Sequence, residues 1–507
     1  MENYDAIIIG AGLGGLSCGA KLAKEGKKIL MVEQHNIVGG CATAFNRKRT
    51  MRFEVGLHEM NGLNEPQKQK MLKDVGIWDK VDFIRVPEFY RVIKGDLDIV
   101  VPDDIDGAKA ALIANFPKES NAINQYFKDI TGIRKQTYRY RWGKKKKMFL
   151  APLMPLFLSK LIKFRKTTIG DYLDSITENE DLKLTIIANL GYYHDDPYAL
   201  SMLFFASGNA SYMGAGGWFV KGGSQKLSDA FAEVIEENGG KIILKHCVEE
   251  IIVENNKAVG IKYIRNKRTD PEELTSYAGI IIANAAMPNV FNHLIPSLKD
   301  STAAKIVNEL EPGCSLFSIY YSFSKPVNDL FEGRYSTFLY DENITKISEF
   351  HEIESSGDYD RKGMVFVNYN AIDSEILSDE NYTGVLCGID YLKNWEDLEH
   401  GPYKEKKQQV IDTYTKRLDK QFPGFADLVQ YSEMATPSTI KRYTQNPHGT
   451  VYGFAPTPEQ ALKNKVNLFD NNIENLYFAS AWVFAGGFSG AISAGYSCAN
   501  AILRKKE

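Results

Sequence analysis

The sequence predicts an α/β fold with two sheet-based parts, one built on a parallel sheet and the other on a mixed sheet. The segment from Ala6 to Gln34 reads as strand, glycine turn, helix and strand, which is the order of a Rossmann βαβ unit. Far from it in the chain, SLFSIYYSFS, GMVFVNYN and GVLCGIDYL each read as a sheet strand. The chain has 507 residues, more than one simple core holds, so two or three closely associated domains are expected.

The glycine turn has the spacing of a dinucleotide-binding site. Gly10, Gly12 and Gly15 form G-x-G-x-x-G after an apolar strand, and Leu16 to Lys24 reads as the helix that follows. The three glycines allow, in order, the tight turn, a close backbone approach to the pyrophosphate and close packing of helix on strand. The helix N-terminus offers N–H groups to the phosphates. Glu33, at the end of the second strand, is placed to bind ribose hydroxyls, which favours FAD or NAD over NADP.

Two further glycine clusters favour FAD over NAD. Gly39–Gly40 closely follows the ribose-binding acid, which indicates a second close backbone approach along an extended cofactor. Near the other end of the chain, Leu476 to Ala479 reads as a strand, Gly486 to Gly490 as a glycine loop, and a helix is expected from about Ala491. A helix N-terminus behind glycines suits the flavin pyrimidine ring or the ribityl chain. The alternative is an ordinary helix start whose small residues serve packing.

Composition excludes several classes of function. The formal net charge of -3 gives no global attraction to nucleic acid, so no nucleic-acid partner is expected. The 6 cysteines contain no CxxC pair, which argues against a redox dithiol, a zinc ribbon and a disulfide framework. The segment HEMNG lacks the second His of a zinc-binding helix, and we predict no metal site. With no secretory signal and no run of about 18 apolar residues, we expect a cytoplasmic protein that associates with a membrane.

Four segments spread over most of the chain carry a family resemblance. They are IIIGAGLGGLSCGAKLAKEGKKILMVEQHNIVGGCATAF, RFEVGLHEMNG, WFVKGGSQKLSDAFAEVIEENGGKIILKHCVEEIIVENNKAVGIKY, and ATPSTIKRYTQNPHGTVYGF with the C-terminal glycine loop. Together they resemble the FAD-dependent phytoene desaturase family with its carotenoid isomerase and retinol saturase branches, and GLH with GGCATAF leans toward the retinol saturase branch. The resemblance implies a Rossmann-type FAD-binding domain of the glutathione reductase and amine oxidase kind, a mixed-sheet substrate domain and a helical part that faces a membrane.

The resemblance also implies which residues bind FAD. Val248 is expected to place its backbone against the adenine, and Asn284 ends a strand beside the cofactor. The expected cofactor-binding set is Gly10, Gly12, Gly14, Gly15, Glu33, Gly39, Gly40, Cys41, Thr43, Gly56, Val248, Asn284, Gly486, Gly487, Ser489, Gly490, Ala491 and Ile492. The sequence departs from the family pattern at Glu54, where Asp is usual, and at Ala481 and Trp482, where an acid often stands.

The FAD-binding domain is expected to be discontinuous. We predict residues 1–93, 210–311 and 444–507 for this domain, and residues 94–209 and 312–443 for the substrate domain. RVIKGDLDIVVPDD reads as a hairpin, and KIILKHCVEEIIVENNKAVGIKYI reads as strands joined by an Asn-Asn turn. The segment GGSQKLSDAFAEVIEENGG reads as a helix that ends at paired glycines.

Residues 139–166 form a candidate membrane-contact helix. The lysine run Lys144 to Lys147 precedes an apolar segment with two prolines, beyond which Ser159, Lys160 and Lys163 share one side of a helix. A basic amphipathic helix suits a surface of anionic lipid, and an enzyme that draws an insoluble polyene from a bilayer needs such a mouth. The alternative is a solvated lysine run beside a buried helix.

The expected function follows from the resemblance. In such flavoenzymes the flavin carries the redox chemistry, while the protein positions a carbon pair and excludes water. We expect an FAD-dependent oxidoreductase acting on carbon–carbon double bonds of a hydrophobic isoprenoid or other polyene, as a saturase or desaturase, with saturation preferred. The alternatives are a flavin-dependent isomerase or hydratase of polyenes or unsaturated fatty acids, and a non-catalytic flavin-bearing lipid-binding protein. No separate NAD domain is evident, so the electrons are expected from a partner or a diffusible carrier.

His58 and Tyr443 are the candidate proton donors, because a His or a Tyr can supply a proton near neutral pH. His58 belongs to RFEVGLHEMNG, a segment expected near the flavin. A structural hydrogen bond or an FAD contact is the alternative role for His58. Packing against the substrate sheet is the alternative for Tyr443.

Overall fold

The computed structural model describes residues 4–48, 50–57, 59–140, 151–265, 272–376, 382–463, 473–483 and 485–505. The strands of these residues are, in chain order, β1 (Ala6–Ile9), β2 (Ile29–Val32), β3 (Ala44–Arg47), β4 (Met51–Glu54), β5 (Glu59–Asn61), β6 (Phe83–Arg85), β7 (Tyr90–Lys94), β8 (Leu97–Val101), β9 (Gly217–Val220), β10 (Lys241–Ile243), β11 (His246–Glu254), β12 (Lys257–Arg265), β13 (Glu273–Tyr277), β14 (Ile281–Ala283), β15 (Ser315–Phe323), β16 (Ser336–Leu339), β17 (Met364–Asn368), β18 (Tyr382–Asp390), β19 (Val429–Ala435) and β20 (Leu476–Phe478).

The helices connect these strands and cover the sheets. In chain order the α-helices of the described residues are α1 (Leu13–Lys24), α2 (Pro66–Asp74), α3 (Ile105–Asn115), α4 (Ser120–Tyr140), α5 (Met154–Phe157), α6 (Ser159–Lys163), α7 (Ile169–Asp174), α8 (Glu180–Ile186), α9 (Met202–Ala215), α10 (Ser224–Glu237), α11 (Met287–Asn289), α12 (Thr302–Asn308), α13 (Phe350–Ser355), α14 (His400–Gln421), α15 (Phe425–Leu428), α16 (Pro437–Thr444), α17 (Pro458–Lys463) and α18 (Gly487–Arg504). Among the residues that the structure describes, no helix is long and apolar enough to cross a membrane.

The parallel sheet has the strand order β10-β2-β1-β14-β20. Ile7 of the central strand β1 pairs with Leu30 on one side and with Ile281 on the other. One face of the sheet packs against α1, α10 and α18, and the other packs against β11, β12 and α12. Burial on both faces explains why β1 and β2 read as continuous apolar runs.

The first and last long helices of the parallel-sheet part are in direct contact. Ser17 Oγ of α1 donates a hydrogen bond to the backbone oxygen of Ile492 in α18 at 2.9 Å. A Cβ atom added at Gly495 would lie 2.0 Å from the backbone oxygen of Gly14, so the two helices approach closely at paired glycines. Helices almost five hundred positions apart in the sequence thereby pack together on one face of the parallel sheet.

The second sheet is mixed and has the order β19-β15-β18-β17-β16-β7-β8. Only the β16–β7 pair is parallel among its pairings; the others are antiparallel. One face packs against helices α3, α4 and α7 to α9, and the other against α14 and α15. The domain boundary predicted after residue 93 falls inside β7 (Tyr90–Lys94), which belongs to this sheet. The predicted boundary therefore divides one strand of this sheet.

A small sheet, β5-β9-β6, lies beside the parallel-sheet part. Met60 of β5 pairs with Trp218 of β9, which in turn pairs with Arg85 of β6. Ser489 Oγ, in the first turn of α18, donates a hydrogen bond to the backbone oxygen of Asn61 at 3.4 Å. Strand β5 is thereby held at the glycine-rich start of α18.

Several predicted elements have different boundaries in the structure. Helices α1 and α18 begin at Leu13 and Gly487, earlier than predicted, because the extended N-cap residues are Gly12 and Gly486 and the glycines after them join the first helical turn. The Asn-Asn turn has the predicted form. Asn255 and Asn256 both have positive φ, +48° and +64°, as a type I′ hairpin turn requires.

The single amphipathic helix predicted within 139–166 is wrong for the described part of that range. Residues 151–166 form a 3₁₀ turn and the two short helices α5 and α6, and the chain leaves helical geometry at Leu158, between α5 and α6. Lys160 points back to form an ion pair with Asp129 of α4. The run Lys144 to Lys147 lies outside the described residues.

Candidate functional site

The glycine turn after β1 is shaped by close backbone contacts. Gly10 has a φ of +91°, a conformation that glycine adopts without strain. A Cβ atom added at Gly15 would lie 2.2 Å from the backbone oxygen of Gly10, so the third glycine lets the helix pack on the turn. The Asn284 side-chain amide donates to the backbone oxygen of Gly10 at 3.1 Å. Asn284 therefore holds the turn from the end of the neighbouring strand β14.

Glu33 connects the two loops that follow β1 and β2. Its Oε2 accepts the backbone N–H of Ala11 at 2.7 Å, and its Oε1 accepts that of His35 at 2.8 Å. The side chain is buried yet lines the cavity described below. A carboxylate can accept about four hydrogen bonds, so the two oxygens keep capacity for ribose hydroxyls.

The second glycine cluster lies directly against the first. The Gly39 N–H donates to the backbone oxygen of Ala11 at 2.7 Å, and Thr43 Oγ1 donates to that of Gly40 at 3.1 Å. Cys41 lines the cavity between them. The two loops thus form one continuous wall of backbone.

The C-terminal glycine loop lies across the cavity from the glycine loops that follow β1 and β2. A Cβ atom at Gly486 would lie 2.6 Å from the Cα of Tyr452. Ser480 Oγ is buried and has no hydrogen-bond partner among the described residues, although it lines the cavity. The Trp482 indole donates to Asn446 Oδ1 at 3.2 Å, so this residue, which replaces an acid of the family pattern, is held by protein contacts.

Glu54 has a structural role at the start of helix α10. Its Oε2 accepts the backbone N–H of Ser224 at 3.1 Å and the hydroxyl of the same residue at 2.5 Å. A carboxylate at the first residues of helix α10 satisfies otherwise unpaired N–H groups. The acid that departs from the usual Asp is therefore buried as a helix cap.

One cavity of about 2660 Å³ joins all these loops. It is several times larger than the 300–1,000 Å³ of typical small-molecule pockets, so it has room for a dinucleotide and a second molecule. Of the predicted cofactor-binding residues, only Gly15 and Ile492 do not line it. Ile492 is fully buried in the core between α1 and α18, and its role is packing.

Beyond the glycine loops the cavity becomes a chamber, which we define by its aromatic and aliphatic walls. These walls come from the mixed sheet, from α9 and from the loops after β4 and α16, and include Phe45, Val55, Leu57, Tyr192, Tyr193, Phe204, Tyr212, Leu316, Tyr320, Tyr452 and Phe454. Arg134, on one side of the cavity, forms an ion pair with Glu65. The chamber suits an elongated apolar ligand.

The cavity fits a flavin dinucleotide on structural grounds. Helices α1 and α18 both begin at the cavity behind glycine N-caps and have no acidic residue in the first turn, so their N-termini are open to phosphate or other electron-rich groups. The unpartnered Ser480 hydroxyl and the open capacity of Glu33 add polar contacts. The donor set is that of an extended nucleotide.

Comparison with known families agrees with this geometry. The profile of the family described as flavin containing amine oxidoreductase matches residues 13–503. The chain belongs to this family. It is an FAD-dependent oxidoreductase, and FAD is its cofactor.

Curated relatives of this flavoprotein cover nearly the whole chain. An all-trans-retinol 13,14-reductase of Danio rerio is 25% identical and is matched over 99% of this chain and 86% of the relative. A prolycopene isomerase of an Oncidium hybrid cultivar is 24% identical, over 100% of this chain and 85% of the relative. The resemblance to the retinol saturase and carotenoid isomerase branches is confirmed.

Solved structures share the fold of the flavoprotein. A cyclohexylamine oxidase from Brevibacterium oxydans has a TM-score of 0.62 at 16% identity and is covered over 100% of both chains. An oxidoreductase from Methanosarcina mazei has a TM-score of 0.60 at 18% identity, over 98% of this chain and 99% of that chain. The predicted α/β flavoprotein fold with a mixed sheet is confirmed.

The flavoprotein has an acid in its chamber that sequence reasoning missed. Glu59 begins β5, is half-buried and lines the cavity, while its Oε1 is sealed from water without a hydrogen-bond partner among the described residues. Burial, together with the charges of Glu88 and Asp103, raises the pKa of Glu59 to about 8. Burial thus favours the protonated form of Glu59.

A glycine makes room for this carboxyl group. A Cβ atom at Gly217, in the paired strand β9, would lie 1.9 Å from Glu59 Oε1. The hydroxyl of Tyr192, another chamber residue, is also buried without a partner among the described residues. The sequence signal for this site is the segment HEMNG, which contains Glu59 directly after His58.

The structure does not support either predicted proton donor, His58 or Tyr443, at the position of Glu59. His58 lies outside the described residues. Tyr443 is 51% exposed and its ring contacts the His35 ring edge-on at 5.4 Å, while its backbone oxygen accepts a hydrogen bond from the Gln34 amide at 3.0 Å. Tyr443 thus lies near the residues that follow Glu33, at the rim of the cavity.

Proposed function

We propose that this flavoprotein acts on carbon–carbon double bonds of a hydrophobic isoprenoid or other polyene. The observation that carries the proposal is that one cavity joins the three glycine loops to the apolar, aromatic chamber. We call the part of the cavity formed by these three loops the cradle. An elongated hydrocarbon bound there is shielded from water over its length. The printed names of the relatives, a retinol reductase and a prolycopene isomerase, support the same substrate class.

The cofactor has a proposed orientation in the cavity. Glu33 binds the ribose hydroxyls, Val248 lies against the adenine, and the start of α1 holds the pyrophosphate. The start of α18 then holds the flavin end. The contact between Ser489 and Asn61 supports this assignment, because it brings the glycine-rich helix start to the strand that carries the chamber acid.

Bound FAD supplies the transfer of an electron pair, as a hydride, between the cofactor and one carbon of the double bond. The chain's own residues handle the proton. Glu59 donates its proton to the neighbouring carbon during saturation, or accepts one during desaturation, and exchanges it with water between turnovers. A carboxyl with a pKa near the working pH suits both directions.

The entrance to the chamber is proposed to face a membrane. Among the described residues, large apolar side chains that are well exposed cluster here: Tyr140 at 54%, Leu153 at 49%, Leu156 at 72% and Ile162 at 46%. Their neighbours Leu161 and Arg165 line the cavity. We define these four exposed residues as the entrance patch. An apolar patch beside a cavity mouth suits substrate transfer from lipid.

Isomerisation without net redox change is the second candidate, because three matched relatives are prolycopene isomerases. An anaerobic experiment separates the two. The purified protein is loaded with FAD, the flavin is reduced, and all-trans-retinol or prolycopene is added. Return of the oxidised flavin absorbance with loss of polyene conjugation identifies a saturase.

A flavin that stays reduced while the polyene changes isomer identifies an isomerase. The desaturation direction is tested with oxidised flavin and the saturated product, where flavin bleaching is the readout. If no flavin change and no polyene change occurs in any of these mixtures, the proposed substrate class is wrong.

A further inference from the structure

A second buried acid, Glu88, lies near the chamber acid Glu59. Glu88 is 2% exposed and belongs to the segment between β6 and β7. Its Oε1 accepts the backbone N–H groups of Tyr335 at 2.6 Å and of Ser336 at 3.4 Å, whereas its Oε2 is buried and has no hydrogen-bond partner among the described residues. An unpaired buried oxygen is costly to the fold, so a purely structural role does not explain this acid.

Tyr335 is a neighbour of both acids. Phe219 of β9 stands directly opposite Glu59 of β5, and directly opposite residues point to the same face of a sheet. The Tyr335 ring lies 6.5 Å, between centroids, from the Phe219 ring, while the Tyr335 backbone N–H binds Glu88. Burial raises the pKa of the Tyr335 hydroxyl, and the charges of Glu59 and Glu88 raise it further. This hydroxyl has no hydrogen-bond partner in the described part of the chain.

Two more hydroxyl groups, those of Tyr192 and Ser336, are buried without a partner among the described residues. The Tyr192 ring, in the chamber wall, lies 5.8 Å from the ring of Phe338 in β16. Ser336 stands two positions before Phe338 and therefore points to the same face of that strand. Burial raises the pKa of the Tyr192 hydroxyl, and the Glu59 charge raises it further. Each hydroxyl can both donate and accept a hydrogen bond, so these groups can carry a proton where apolar side chains cannot.

An ion pair connects this group of residues to the surface. Asp103 Oδ2 accepts a hydrogen bond from Arg85 Nε at 2.6 Å, and the two side chains are 12% and 45% exposed. Burial raises the pKa of Glu88, and the Asp103 charge adds to this shift. A Cβ atom added at Gly216 would lie 3.4 Å from Asp103 Oδ2, one residue before the glycine that makes room for Glu59. A carboxylate in contact with solvent therefore lies close to both buried acids.

We propose that Glu88 supplies protons to Glu59 between turnovers, through the three unpartnered hydroxyls. This inference rests on the proposed function in its saturating direction. After Glu59 has given its proton to the substrate carbon, Glu88 passes a proton along the hydroxyls to the Glu59 carboxylate, and solvent at the Asp103 end returns a proton to Glu88. The path runs through the protein, so the chamber stays closed to water while flavin and polyene fill it. Glu88 acts through Glu59 and does not touch the substrate.

Comparison of the first turnover with later ones separates this role from a structural one. The FAD-loaded protein is reduced anaerobically at a pH below the Glu59 pKa of about 8 and mixed with all-trans-retinol, without further reductant or with excess dithionite. Glu88→Gln keeps an oxygen that can accept the Tyr335 N–H, so the first reoxidation of the flavin should keep the parent rate. Steady-state conversion should fall about tenfold or more, since a positioned proton-transfer group contributes roughly 10²–10⁴ in rate. Unchanged steady-state conversion, or equal losses in both phases, would overturn the proposal.

Tyr335→Phe tests the path without changing a carboxyl group. It removes a hydroxyl that has no partner among the described residues, and it should slow only the later turnovers. The control Tyr414→Phe, in α14 on the other face of the mixed sheet, removes another buried hydroxyl without a partner in the described part of the chain and should change neither phase. Flavin content and Tm establish that each variant is folded. Parent rates in both tyrosine variants would refute the path, whereas a parent protein that fails to reoxidise its flavin in the first turnover would refute saturation and this inference with it.

Discussion

Oε2 of Glu33 accepts the backbone N–H of Ala11 at 2.7 Å. The acid at the end of β2 therefore holds the glycine turn that follows β1, in addition to its expected ribose contact. Loss of the carboxylate removes a bond inside the cradle as well as one to the cofactor. Its effect on FAD binding should exceed that of a single cofactor contact.

Glu33→Ala is predicted to weaken FAD binding by about tenfold to several hundredfold, because charge-assisted hydrogen bonds contribute roughly 1.5–3 kcal/mol each. The measurement is the flavin content of the purified protein and the Kd of the apoprotein for FAD. Glu236→Ala, at an exposed position of α10, is the control. Full flavin content in Glu33→Ala would contradict the nucleotide assignment.

Glu59→Gln is predicted to lower the rate of polyene conversion by about a hundredfold or more, since a positioned acid contributes roughly 10²–10⁴ in rate. FAD binding should be unchanged. In the unaltered protein, saturation should slow as the pH rises through about 8, because the donor must be protonated. A variant rate close to that of the parent, with the same pH profile, would exclude Glu59 as the proton donor.

The same residue should affect stability. Its pKa in the folded protein, about 8, exceeds that of an exposed Glu, about 4.3. Protonation therefore favours the folded state fully below the unfolded pKa, and this contribution is lost as the pH rises through the folded value. Glu59→Gln should reduce the fall in Tm between about pH 5 and 8. The control Glu309→Gln changes an exposed residue and should not alter the decrease in Tm with pH. An unaltered decrease in Glu59→Gln would contradict the raised pKa of Glu59.

Lys362→Met is predicted to destabilise the protein by about 3–5 kcal/mol, the usual cost of leaving one partner of a buried ion pair without the other. Lys362 and Asp390 are both 0% exposed, with Nζ 3.0 Å from Oδ1. Urea unfolding measures the change. The control Lys393→Met removes an exposed lysine nearby and should change the free energy of unfolding little. A similar loss of stability in the two variants would show that the buried ion pair does not stabilise the protein more than an exposed lysine does.

The entrance patch predicts membrane binding. Leu156→Asp combined with Ile162→Asp should reduce co-sedimentation with vesicles of phosphatidylcholine and phosphatidylserine, because both side chains are exposed apolar groups. Leu398→Asp changes an exposed leucine elsewhere and serves as the control. Equal sedimentation of the double variant and its parent would place the membrane contact on another surface.

The elements with strong local signals were predictable from sequence. The β1 strand and its glycine turn, the Asn255–Asn256 hairpin and the long strand β15 depend on residue type and spacing within a few positions. The cofactor cradle was predictable for the same reason, since glycine spacing and the acid at Glu33 are local features. Most residues of the predicted set therefore line one cavity.

The chamber chemistry was not predictable in this way. The pKa of Glu59 depends on burial and on the charges of Glu88 and Asp103. The position of Glu59 depends on pairing of β5 with β9, some 160 residues away. Asp195 and Glu354, which are far apart in the sequence, likewise line one small pocket. The helix prediction for segment 151–166 was wrong for a different reason, because the break at Leu158 has no signal in the pattern of basic and apolar residues.

The contact between α1 and α18 has a consequence for biosynthesis. A ribosome makes Ser17 long before Ile492, yet the two are hydrogen-bonded in the folded protein. The part of α1 that packs on α18 has no cover until residues 487–504 have left the exit tunnel, although α10 packs on α1 as well. Until then the cofactor cavity lacks the wall that α18 forms. We therefore expect the complete FAD site to form only after residues 487–504 have been made.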